Sequence, residues 1–195
     1  MQDVGRRSNP DRTQKTRGAL VEAARKLFLQ RPYAETGTPE IVALAGVTRG
    51  ALYHHFADKQ ALFLAVVEAE SAAVADAVKA ATATIHSPQE ALTKGGEAFL
   101  EVMSHPGRTR LLLIEAPSVL GRRRVDELDE AHAGATLREG LDAAARAGAI
   151  RDLPVGPTAQ LLSSAFDRAA LAIENGADAA EWRLVLARLL TAIFE

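Results

Sequence analysis

The sequence predicts an all-α fold of about nine helices, and three observations carry that prediction. Alanine is abundant while runs of β-branched residues are scarce. Apolar residues recur at spacings of three and four, the period of a helix, rather than at two. Proline and glycine fall between the periodic segments, at Pro32, Gly46, Pro88, Pro106, Gly107, Pro117, Gly148, Pro154, Pro157 and Gly176, and cut the chain into helix-sized pieces.

The first helix is expected from about Thr16 to Gln30, where Leu20, Ala23, Ala24, Leu27 and Phe28 share one stripe, and it must stop before Pro32, which disfavours helix in the residue preceding it. A short second helix opens with Thr38 as N-cap, carries Pro39 where the missing amide proton costs nothing, and ends at Gly46. A third follows Thr48 and ends near His55. Asp58 then caps a long fourth helix that runs through Leu62, Ala65, Val66 and Ala69 to about Thr82. Five more are expected at about 88–104, 108–116, 119–147, 157–174 and 179–194.

Composition bounds what such a bundle can do. At 195 residues, with 48% hydrophobic and 25% charged, the chain can bury an ordinary core without staples. It has no cysteine, which excludes disulfides, thiolate metal sites and cysteine nucleophiles. The N-terminus is polar and no apolar run approaches the roughly 18 residues of a membrane span, so a soluble, cytoplasmic protein is expected. Enzyme signatures are missing too: there is no nucleophile with a plausible base, no Glu-x-x-His spacing and no glycine-rich phosphate loop, so neither catalysis nor a cofactor is expected. The net charge of -2 is divided unevenly. Residues 1–59 carry ten basic and six acidic groups, giving +4 and leaving -6 for the rest, so only the N-terminal end suits a polyanion.

That end contains a short helix, a turn at Gly46 and a second helix, over Thr38 to Phe56, which is a helix-turn-helix pattern. Ile41, Ala45, Val47, Leu52 and Phe56 would fix the two helices at one angle, with small Ala43 and Ala51 allowing close approach. The exposed face of the second helix then offers Thr48, Arg49, Gly50, Ala51, Tyr53 and His54 to base edges or phosphates, with Arg49 the best guanine reader. Lys59 and the amides that start the helix opened by Thr38 suit phosphates, which position without reading sequence. Adjacent His54 and His55 point about 100° apart on a helix and have no partner at metal spacing, so no metal site is expected.

Here the chain resembles the TetR family of bacterial regulators. The resemblance rests on Thr16, Arg17, the pattern from Ala24 to Phe28, Tyr33, Thr36, Ile41, Ala45, Gly46, Val47, Gly50, Leu52, Tyr53, His55, Phe56 and Lys59, and it covers residues 13 to about 66. Pro32 stands where a glycine is usual, and Pro39 at the start of the second helix is a further departure, but neither touches the reading face. The resemblance implies a flexible basic arm over 1–12, a helix-turn-helix DNA-binding domain over 13–60, and a ligand-binding and dimerisation domain over 61–195. It further implies a homodimer on a palindromic double-stranded DNA operator, released by a small-molecule effector, with repression the default. A DNA-binding scaffold of the nucleoid type, without a small-molecule ligand, is the alternative.

Candidates in the C-terminal part rest on weaker signals. Phe99, Met103 and Phe166 suit a core in any helical protein, and become pocket residues only by resemblance to the family. Glu115 either points into a pocket or caps a surface turn. His132 shares a stripe with Val125 and Leu128, as a hydrogen-bonded core histidine or a ligand contact. Arg122, Arg123 and Arg124 precede Asp126, Glu127, Asp129 and Glu130, the spacing of ion pairs on a solvated face, with an anionic contact as the alternative. Leu161, Ala165 and Ala169, with Trp182, Leu186, Leu189 and Ile193, form apolar faces that could build a four-helix bundle across a two-fold axis. Few polar handles are present, so an apolar or amphipathic effector is expected.

Overall fold

The computed structural model describes residues 10–150 and 153–195. Its elements are α1 (Pro10–Gln30), a 3₁₀ turn (Tyr33–Glu35), α2 (Thr38–Ala45), α3 (Arg49–His55), α4 (Lys59–Thr82), α5 (Pro88–Met103), a π-helix (Arg110–Glu115), α6 (Ala116–Leu120), α7 (Arg122–Ala131), α8 (Ala133–Arg146), α9 (Val155–Glu174) and α10 (Ala179–Ala192). Among the described residues there is no strand, as the spacing of apolar residues requires. The chain divides into two compact units, Met1–Val66 and Val67–Glu195, with the division falling inside α4.

In the first unit α1, α2 and α3 pack on one another around Leu20, Ala24, Phe28, Ile41, Leu52 and Phe63, all sealed from solvent. Phe63 meets Phe28 edge-on at 5.1 Å and Tyr33 at 4.8 Å, which ties the start of α4 to the loop after α1. Gly46 closes α2 at φ 65°, a left-handed conformation that a side chain resists, and this sets the turn into α3. Thr48 caps α3 by accepting the Ala51 amide at 3.2 Å, and Asp58 caps α4, as expected, by accepting that of Ala61 at 2.7 Å.

Two local expectations need correction. Helix α1 begins at Pro10 rather than near Thr16, so the arm expected over 1–12 keeps only residues 1–9, which lie outside the described residues. Thr38 is the first residue of α2 and not its cap; Gly37 holds the cap position with extended backbone and no side-chain hydrogen bond.

The second unit packs α5 against α8, α9 and α10, with α7 and α6 leading into α8. A buried ion pair joins α4 to the loop after α5: the Arg108 Nε donates to Glu70 at 2.6 Å, and Arg108 also donates to the Val102 carbonyl at 2.6 Å. The helix expected at 108–116 is a π-helix over Arg110–Glu115. The single helix expected at 119–147 is three pieces, which raises the number of α-helices among the described residues to ten. Gly121 (φ 86°) breaks it once. The second break comes at His132, and there Gly134 lies so close to Asp129 that an added Cβ would stand 2.9 Å from its carbonyl oxygen.

Candidate nucleic-acid interface and effector cavity

Helix α3 is held by its inner face. Leu52 and Phe56 are buried, Ala51 and His55 are half-buried, and Arg49, Gly50, Tyr53 and His54 stand in solvent. On the exposed side the Arg49 guanidinium lies 5.6 Å from the Tyr53 ring, one helical turn away. Hydrogen bonds from Thr38 and then Arg49 hold the Tyr53 phenol below its ordinary pKa. Thr38 therefore ties the start of α2 to the exposed side of α3 through Tyr53. His55 is kept below its ordinary pKa by burial first, then by the charges of His54 and Arg17. Arg17, on α1, sits over the Phe56 ring at 5.1 Å.

Lys59 is held by the loop between α1 and α2. Its ammonium donates to the carbonyls of Tyr33 at 2.8 Å and Thr36 at 3.0 Å and lies 3.9 Å from the Tyr33 ring centre. Burial holds its pKa below the ordinary value. The charge thus ties down the loop between α1 and α2, and two of its three donors are used there. At the start of α2, Pro39 removes one amide from the set available to a phosphate, and Glu40 in that first turn pairs with Arg31.

The second unit holds an open cavity of about 420 Å³ whose walls include Phe99, Met103 and His132. A second chamber of about 310 Å³ shares Phe99, Ala133 and Ser163 with it and has Phe166 in its wall. Phe99 and Phe166 meet edge-on at 5.8 Å. Four of the five sequence candidates thus come together around two adjoining spaces. Glu115 lines neither; it is half-buried and pairs with Arg110 at 2.6 Å, so it is neither a residue of these two spaces nor a solvated turn carboxylate. His132 stands at the break between α7 and α8, with its ring on the first cavity. The three arginines form the pairs expected of a solvated face: Arg122 with Asp126 at 2.8 Å, Arg123 with Glu127 at 3.6 Å, and Arg124 with both Glu127 and Glu68.

Sequence periodicity missed two cavity groups, Asp129 and Asp167. The signal available was a charged residue interrupting the inward stripes of α7 and α9. The residues named for a dimer contact separate into two sets. Leu161 is 74% and Leu189 47% exposed, and Ala165, Trp182 and Ile193 are half-buried. Ala169 and Leu186 are buried inside their own chain, because the apolar stripe of each helix is wide enough to serve a core on one side and solvent on the other. Leu184 and Val185 join the exposed set.

A three-helix reader in one unit and a cavity-bearing bundle in the other is the organisation of a helix-turn-helix regulatory protein. Residues 20–66 match the family model described as bacterial regulatory proteins, tetR family, and residues 89–195 match that of the tetracyclin repressor-like C-terminal domain. The chain belongs to the TetR family. Among relatives, the HTH-type transcriptional activator FasR of Mycolicibacterium smegmatis is 33% identical over 110 residues, 56% of this chain and 50% of that protein. The HTH-type transcriptional regulator TtgR of Pseudomonas putida is 42% identical over 62 residues, 32% of this chain and 30% of that protein. The chain thus spans half or less of the length of these relatives. A solved TetR-family transcriptional regulator from Pectobacterium atrosepticum superposes with a TM-score of 0.76 at 29% identity, covering 95% of each chain. These relatives are regulators and not enzymes, in keeping with the sequence. No helix among the described residues is long and apolar enough to cross a membrane.

Proposed function

We propose that the chain is a transcriptional repressor that binds a roughly palindromic operator as a homodimer and leaves it when a small molecule occupies the C-terminal cavity. The face of α3 carries this reading: Arg49, Gly50, Tyr53 and His54 stand in solvent while Leu52 and Phe56 anchor the opposite side. Entering a major groove by its N-terminal half, α3 would set Arg49 against a guanine edge, with Tyr53 and His54 further along. A Cβ at Gly50 would meet only the Thr48 Oγ1 at 3.8 Å, an ordinary contact, so the fold does not demand a glycine there, whereas close approach to DNA would. Thr48, Thr38 and Ala51 flank this contact, and Lys59 supports it by shaping the loop before α2.

Exposed Leu161, Leu184, Val185 and Leu189 on α9 and α10 favour a second copy as their cover, and a dimer would offer two readers to major grooves about 34 Å apart. Work on DNA puts the protein in the cytoplasm. A cavity of about 420 Å³ suits a small molecule. To release DNA, that molecule must bind the DNA-incompetent conformation more tightly than the competent one, and α4, which contributes residues to both units, is the covalent route for the change.

The test is fluorescence anisotropy of the purified chain on duplexes from upstream of its own gene and neighbouring genes, across a salt series, with scrambled duplexes as controls. Tight binding to one duplex, at one or two dimers per site, supports the reading. Equal affinity for every duplex and its scramble points instead to a DNA-binding scaffold.

A further inference from the structure

We infer that the effector is a cationic amphiphile, an organic amine or ammonium ion whose charged head sits between Asp129 and Asp167 and whose apolar body lies along Phe99. This rests on the ligand-responsive reading above and names the chemical class of its effector. The balance of charge around the larger cavity is the first support. Its lining holds four carboxylates, Asp126, Asp129, Glu130 and Asp167, against one guanidinium, Arg122, which Asp126 already engages at 2.8 Å. The walls supplied by α4, α5 and the π-helix contribute no ionisable side chain, and His132 is the remaining titratable group.

The second support is the state of the two aspartates. Asp129 is fixed in place: one oxygen accepts the Gly134 amide at 3.2 Å and the other accepts the Ser163 hydroxyl at 3.0 Å. Asp167 follows Ser163 by one turn of α9 and also lines the cavity. Among the described residues, none donates a hydrogen bond to the Asp167 carboxylate and no ion pair reaches it. Burial first, and then the charge of Asp129, push its pKa up to about 7 against the lowering influence of Arg122. Burial likewise raises that of Asp129. Two carboxylates facing one space, one of them without a partner, leave a place for a positive charge. An anionic head would be repelled there, and a neutral one would gain nothing from the two carboxylates.

The apolar walls complete the fit. Val67, Val74, Phe99, Met103 and Leu112 line the same cavity, and Phe99 opens onto the second chamber, so a body several carbons long can lie against apolar surface while its head stays with the aspartates.

Isothermal titration of the full chain at pH 7.5 with 4-phenylbutylamine, 4-phenylbutan-1-ol and 4-phenylbutyrate compares three head charges on one body. The amine is expected to bind about tenfold or more tighter than the alcohol, with the butyrate weakest. Asp167→Asn and Asp129→Asn should each weaken the amine by about tenfold and leave the alcohol within about twofold. Equal or tighter binding of the alcohol or the butyrate overturns the inference, as does absence of binding by all three or an equal loss of amine and alcohol in the variants. The wild-type series stands even if a variant fails to fold. DNA binding by the unliganded chain is measured separately: if the alcohol or the butyrate releases DNA and the amine does not, the regulator survives and the cation is lost. An amine bound by a chain that ignores DNA sequence has the opposite meaning.

Discussion

In the unit ending at Val66 the side chains proposed to read DNA are neighbours in sequence, from Thr48 to His54, and project from one short helix into water. In the unit beginning at Val67 they come from distant places: Phe99 on α5, Asp129 on α7, and Ser163, Phe166 and Asp167 on α9. The difference has a physical consequence. A solvated face can change its chemistry while its anchoring residues, Leu52 and Phe56, keep the fold. A cavity wall belongs to the core, so a change there alters stability and binding together.

The largest expected effect is at the buried pair of the second unit. Glu70→Gln leaves the Arg108 guanidinium buried without its countercharge and should cost about 3–5 kcal/mol in urea denaturation. A loss below about 1 kcal/mol would mean that the pair is solvated and that the second unit is as tolerant as the reading face. Next comes Gly96, where an added Cβ would stand 2.5 Å from the Phe166 ring, so Gly96→Ala should destabilise by about 1–3 kcal/mol despite the better helix propensity of alanine. Increased stability would show that the Phe166 ring moves aside freely into the second chamber.

Asp167 gives the comparison a pH signature. Its folded pKa of about 7 lies above the ordinary 3.8, so between these values the folded chain holds a proton that the unfolded chain has released. Its contribution therefore favours folding at low pH and is lost as pH rises through about 7. The effect is about 1–2 kcal/mol after allowance for water in the cavity, and Asp167→Asn should remove it from a plot of stability against pH. A plot unchanged by the substitution would place Asp167 in ordinary solvent. The smallest effect is at Gly50, the open counterpart of Gly96: Gly50→Ala should raise stability by up to about 1 kcal/mol while weakening DNA binding. Unchanged DNA affinity would remove Gly50 from the interface.

The same contrast governs what the sequence made legible. Helix α3 could be read because its cap Thr48, its anchors Leu52 and Phe56 and the preceding turn at Gly46 all lie close together in the chain. Lys59 could not, because its partners are the carbonyls of Tyr33 and Thr36, and only the folded loop brings them to its ammonium. Apolar periodicity located α9 and α10 but could not divide their stripes between core and solvent, so Ala169 and Leu186 were grouped with Leu161 and Leu189. The cut at Gly121 was open to a reader of glycines, while the break at His132 depends on Gly134 meeting Asp129 across the turn. The sequence places Asp129 on a solvated ion-paired face and does not single out Asp167: each interrupts an apolar stripe, but only the fold brings the two stripes to one cavity.

The central claim, that the solvated face of α3 reads DNA, is tested most directly with Arg49→Ala by fluorescence anisotropy on a selected operator duplex and its scrambled control. The expected result is a loss of about 1–3 kcal/mol on the operator, concentrated at one base pair in single-site variants of the duplex, with little change on the scramble. An equal loss on both duplexes would make Arg49 a phosphate contact, and no loss on either would move the reader away from α3.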